Sequence, residues 1–166
     1  MDNASLVNIR EAKNQDIKEI VNLIFICFQD KFNVIFGSKF KEGKNALIED
    51  FKSKPSLEGI FVASSDKKIV GVFSLQIKEN KSDWISTFRN IIKFVGPIRG
   101  LKAILVGSFF PTQVKKDSCY MEYVAVLPGY HKRGIAEKLI KQGEKYITNK
   151  NKKYIFGVVN SSNIPS

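Results

Sequence analysis

The chain has 166 residues, of which 43% are hydrophobic and 26% charged, and a net charge of +11. That length suits one domain burying about two thirds of its unfolded surface, and the composition excludes disordered, collagen-like and solenoid classes. Two cysteines, Cys27 and Cys119, make no disulfide framework; each sits among apolar residues and reads as a buried small hydrophobe.

The positive excess is nearly all lysine, 23 against 4 arginines, spread along the whole chain. It admits nucleic acid, anionic lipid or a polyphosphate ligand as partner. Base-edge readers favour arginine and clustered patches, so a solvated lysine surface fits better than a nucleic-acid interface.

In chain order, "MDNASLVNIREAKNQ" lacks the basic-then-apolar layout of a signal peptide, and a cytoplasmic location is expected. Leu6 to Ala12 alternates as a first strand. A helix follows, with Asp16 as cap and Ile17, Ile20, Val21, Ile24 and Phe28 on one stripe. A second helical stretch runs from Gln29 to a stop before Pro55. Ile60–Ala63 and Ile69–Ile77 form a hairpin around "SSDKK". Residues 80–117 hold helical segments broken at "GPIRG" and closed by Pro111. Trp84 to Phe110 is the most apolar region, but Arg89, Lys93, Arg99 and Lys102 interrupt it. No run of about 18 uncharged apolar residues exists, so no membrane span is expected.

"SCYMEYVAVL" reads as a central buried strand. A helix with Ile135, Leu139, Ile140, Tyr146 and Ile147 on one face comes next, then the strand "KYIFGVV". The order predicts one mixed α/β sheet whose last strand–helix–strand unit is parallel and right-handed.

Between that strand and helix lies "PGYHKRGIA". A helix starting near Arg133 to Ile135 offers free N–H groups and the positive end of its dipole. Gly134 lets a ligand approach the backbone, and Lys132 and Arg133 add charge. This is the recipe for a phosphate cradle, set against the plain alternative of a tight turn with solvated cations. Neither GxxxxGK[ST] nor GxGxxG is present.

His131-Lys132-Arg133-Gly134-Ile135-Ala136 resembles the Gln/Arg-x-x-Gly-x-Gly/Ala signature of the GNAT superfamily of N-acetyltransferases. "EYVAVLPGY", "AEKLIKQGEKY" and "YIFGVV" before an asparagine are similar to the family's flanking strand, helix and strand. The resemblance is strong over 60–77 and 118–166 and weak over the first strand and helix. It implies a GNAT-like acyl-CoA N-acyltransferase fold over 1–166 as a single domain, with 81–117 a helical insertion on the acceptor side. It implies acetyl-CoA as cosubstrate, its pyrophosphate on the amides of Lys132 to Ala136. The pantetheine arm would pair beside Val124, Ala125 and Val126, with Asn163 as a further contact and Asn160 a weaker candidate. No metal is implied.

His131 stands where the family has Gln or Arg, and the resemblance counts it with the cofactor-binding residues; as the only histidine, in an exposed turn, it reads as incidental to catalysis. The match also stops at "VVNSSNIPS", before the family's last helix, its tyrosine general acid and its terminal hairpin. The sequence therefore reads as a C-terminally truncated member, with strand 153–159 an edge open to homodimer pairing. Glu122 is the one acid on the central strand. Strand alternation puts it on a face with Val124 and Val126, as general base or as a structural partner within the sheet. The leading function is N-acetyl transfer to a primary amine of a small molecule or protein. A silent CoA-binding module and, further off, a basic nucleic-acid binder are the alternatives.

Overall fold

The computed structural model describes residues 7–77, 81–101 and 117–157, with the backbone alone over 81–86 and at 88. In chain order the elements are β1 (Asn8–Glu11), α1 (Ile17–Cys27), α2 (Gln29–Phe36), α3 (Phe40–Ser53), β2 (Ile60–Ser65), β3 (Lys68–Gln76), α4 (Lys81–Val95), β4 (Ser118–Val126), α5 (Ile135–Asn149) and β5 (Tyr154–Phe156). They form two compact units, one holding β1–β5 and α5, the other α1–α4.

The first unit is a five-stranded mixed sheet in the order β1-β2-β3-β4-β5. Neighbours are antiparallel through β4, and β5 joins β4 in parallel, as the strand–helix–strand order predicts. The β2–β3 hairpin turns on Asp66 and Lys67, at φ 49° and 66°. Two consecutive left-handed residues give the turn whose twist matches the flanking strands.

The expected stripe of α5 packs on this sheet. Ile135, Leu139 and Ile147 are buried with Phe61, Phe73, Leu75 and Cys119, while Ile140 and Tyr146 pack at the margin. Gly143 brings the helix close: a Cβ there would stand 2.3 Å from Phe73 Cε1. Near the helix end, Tyr146 donates to Glu58 Oε1 at 2.8 Å, and Lys150 Nζ meets the same oxygen at 2.8 Å. Burial first, and then this bond, holds the Tyr146 phenol above its ordinary range. Of the expected strand 153–159, Tyr154–Phe156 is strand, and 158–159 lie outside the described residues.

The second unit is helical. Ile17, Ile20, Val21 and Ile24 of α1 are buried as the stripe predicts, with Phe28 just beyond the helix end. Asp16 stands at the N-cap of α1 as expected but makes no side-chain cap bond to it; its Oδ2 accepts from Lys13 N–H at 2.7 Å, one turn earlier. The single helix expected after Gln29 is two, interrupted at Gly37–Lys39, where Gly37 has φ 51°. Arg99 spans that break, donating to Phe36 O and, at 3.1 Å, to Ser38 Oγ. Phe25 stacks on Phe32 at 4.1 Å between centroids and meets Phe40 edge-on at 5.0 Å. Cys119 is buried as expected, whereas Cys27, at the end of α1, is only half-buried. Burial raises both thiols. No single described helix is long and apolar enough to cross a membrane.

Candidate active site

β4 carries the site because its two edges have different partners. On one side it pairs with β3 along its length. On the other, only Ser118, Cys119 and Tyr120 pair, with Tyr154, Ile155 and Phe156. From Met121 to Ala125 that edge has no strand partner among the described residues. Leu127 N–H reaches Val70 O on β3 at 2.9 Å. Successive residues of a strand turn their peptide groups to opposite edges, so those of Val124 and Val126 face the open one. His131 Nε2 reaches Val126 O there, at 2.8 Å. Ala125 is buried and aligned with Val72.

The β3–β4 register breaks in the middle. Ser74 is opposite Tyr123 and Leu75 opposite Met121, so Glu122 is an extra residue, a β-bulge. The bulge overturns the parity expectation for Glu122. Cys119 and Met121 before it, and Val124 and Val126 after it, all pack toward the α5 core. Phe73 and Leu75 of β3 point the same way, so Ser74 between them points to the other face. The Ser74 hydroxyl, 1% exposed, donates to Glu122 Oε2. Glu122 thus lies on the Ser74 face, apart from Val124 and Val126.

Tyr123 shares that face. Its hydroxyl is buried and has no hydrogen-bond partner, the one such buried side-chain atom among the described residues. Ser74 is near enough to favour the phenolate slightly, yet outside bonding geometry; burial and the adjacent Glu122 outweigh it and keep the phenol protonated. Tyr120 is also pushed up, by burial first and Glu122 second. Sequence reading missed Ser74 and Tyr123. The one signal was a hydroxyl set in the apolar run "IVGVFSLQ".

After β4 the chain makes a short 3-10 turn at Pro128–Tyr130, and His131 N–H is spent on Pro128 O at 3.2 Å. Lys132 and Gly134 then take left-handed backbone, at φ 60° and 69°. Gly134 caps α5 with no side chain, and a Cβ on it would meet nothing within 4 Å. The first intrahelical bond is Lys138 N–H to Gly134 O at 3.0 Å. The N–H groups of Ile135, Ala136 and Glu137 therefore have no helical acceptor. Arg133 stacks over Tyr130 at 5.1 Å, and Lys132 is exposed beside it. This end of the site suits a phosphate-bearing ligand. Asn160 and Asn163 lie outside the described residues. Among the described residues no cluster of His, Cys, Asp or Glu could hold a metal.

An open strand edge ending in an anion cradle, with a carboxylate at a bulge alongside, is an arrangement suited to an extended phosphate-bearing carrier. The sequence profile of the acetyltransferase (GNAT) family matches residues 17–166. The chain belongs to this family. No curated protein matches it. Solved structures share the GNAT fold. The aminoglycoside N-acetyltransferase AAC(6')-Iy in complex with CoA is 15% identical, at TM-score 0.60 over 98% of this chain and 83% of its own. An N-acetyltransferase from Staphylococcus aureus Mu50 is 20% identical, at TM-score 0.58 over 89% and 80%. A GNAT acetyltransferase from Brucella melitensis in complex with acetyl-CoA is 18% identical, at TM-score 0.53 over 95% and 79%.

Proposed function

We propose that this GNAT-family chain is a single cytoplasmic N-acetyltransferase domain that moves an acetyl group from acetyl-CoA to a primary amine of a small molecule. The observation that carries the reading is the open edge of β4 leading into the unsatisfied amides at the start of α5. Those amides, with Lys132 and Arg133, take the pyrophosphate. Val124 pairs with the amides of the pantetheine arm as a further strand would, and the Val126 carbonyl beyond it is held by His131. The N–H of Val124, on the same edge, is the donor available to the thioester carbonyl oxygen. The family's solved members with CoA or acetyl-CoA bound support this reading, and an aminoglycoside N-acetyltransferase among them supports a small amine as acceptor.

Glu122 acts as base. A free amine is mostly ammonium below a pKa of about 10, so a proton must leave before nitrogen can attack. Glu122 is exposed and can take that proton and return it to solvent. The new N–C bond forms as the C–S bond breaks, and the electron pair departs on sulfur. A thiol with a pKa of about 8.5 leaves as thiolate without needing a strong acid.

Thermal-shift titration tests the cradle. Acetyl-CoA and desulfo-CoA at about 100 times their dissociation constants should each add about 2.7 kcal/mol, a rise of about 5–10 °C, while NAD adds nothing. Thiol release in the presence of sisomicin, spermidine and tyramine then tests transfer. A shift without release on any amine would leave a CoA-binding module. No shift in folded protein would remove the acetyl-CoA reading.

A further inference from the structure

Ser74 is buried in a strand whose neighbours, Phe73 and Leu75, belong to the apolar core. A hydroxyl in such a place needs a partner, and its partner is a carboxylate one strand away. The β4 bulge makes this possible. By inserting Glu122, it sets two consecutive side chains, Glu122 and Tyr123, on the face of one β3 hydroxyl.

The chemistry of the three groups allows only one order of bonds. An ionised Glu122 accepts and cannot donate. Ser74 spends its single proton on Glu122 Oε2 and keeps lone pairs to accept with. Tyr123, held protonated, has a buried hydroxyl that lacks an acceptor. Ser74 lies beside it, and the one order of donation the three groups permit runs from Tyr123 to Ser74 to Glu122. The reverse direction would require a protonated Glu122.

Resting on the assignment of Glu122 as base, we propose that Ser74 is the positioning residue of this transferase, backed by Tyr123 and holding Glu122 by Oε2 so that Oε1 is left for the acceptor's proton. Glutamate at an exposed bulge has several rotamers of similar energy, and only one aims a carboxylate oxygen usefully. A charge-assisted bond from a rigid buried hydroxyl selects among them.

A double-mutant cycle tests this. The unaltered chain, Ser74→Ala, Glu122→Gln and the double variant are compared for kcat and KM on the best amine of the panel, or on water as acceptor where no amine turns over. Desulfo-CoA affinity and the melting curve are followed in parallel, and Ser74→Thr restores a hydroxyl. We expect Ser74→Ala to lower kcat about tenfold with desulfo-CoA affinity unchanged, Ser74→Thr to recover most of it, and Ser74→Ala to cost nothing further on the Glu122→Gln background. Tyr123→Phe should lower kcat about twofold. Equal losses on both backgrounds, or no loss from Ser74→Ala while Glu122→Gln is impaired, would overturn the positioning role and leave Glu122 as base. A fully active Glu122→Gln would remove the base assignment and this proposal with it. An unaltered chain that binds desulfo-CoA but releases no thiol would remove both and leave the cradle intact.

Discussion

The stretch from β4 to the start of α5 and the helical unit of α1–α4 are built on different rules. In the first, individual polar atoms are specified: Ser74 Oγ on Glu122 Oε2, His131 Nε2 on Val126 O, and helix amides over an empty Gly134. In the second, the organisation is bulk packing. Phe25 gathers Phe32, Phe36 and Phe40, and the stacked rings lie nearly parallel, at 7° and 4°. Polar contacts there sit at helix ends and breaks, as Asp16 Oδ2 on Lys13 N–H and Arg99 on Phe36 O and Ser38 Oγ do. A site that must meet one carrier in one geometry cannot tolerate approximate polar positions, because misplacement by an ångström is costly to rate. A packed aromatic cluster tolerates many sequences of similar volume.

Substitutions that separate activity from stability would sharpen the contrast. The largest effect is expected from Glu122→Gln, which should lower kcat by about 10² to 10³. Gln still accepts from Ser74, so the melting temperature should hold. A loss of both together would show the carboxylate to be structural. Phe25→Ala should do the opposite, costing about 3–4 kcal/mol in denaturant unfolding with desulfo-CoA affinity unchanged. Weakened affinity at full occupancy of the folded state would break the comparison by tying the helical unit to carrier binding.

Tyr123 gives an intermediate effect. Its folded pKa is raised by burial first, then by Glu122. The phenol therefore ionises only on unfolding, and its contribution is fully present below the unfolded value of about 10. As pH rises past that value, stability should fall by about 1.4 kcal/mol per unit beyond the loss seen in Tyr123→Phe. Parallel pH curves for the two proteins would show the hydroxyl to be solvated. The smallest effect is expected from Gly134→Ala. Left-handed backbone at φ 69° costs a non-glycine residue about 1 kcal/mol. The added methyl meets no protein atom, so a loss of desulfo-CoA affinity of about fivefold would report the ligand itself.

Much of the first unit was legible residue by residue. Alternation and a polar turn marked the β2–β3 hairpin, and a helical stripe marked α5. The glycine-punctuated turn from His131 to Ala136 marked where α5 begins. The helical unit was legible as helices but not at their joints. A break at Gly37 and an Asp16 bond made to Lys13 rather than to α1 depend on which carbonyls and amides find partners, and periodicity carries no such information.

The local chain, by itself, determined where backbone amides are left over, because a glycine before a helix and a proline after a strand act within a few residues. It also determined the mixed sheet, through the order of strand and helix periods. The face on which Glu122 lies was a tertiary decision. Alternation predicts a face for each residue only while the strand stays in register, and "MEYVAV" contains nothing to show that one residue is extra. Register is a relation between β4 and β3, two strands about fifty residues apart in sequence, so only their pairing could place a carboxylate, a phenol and a buried hydroxyl together.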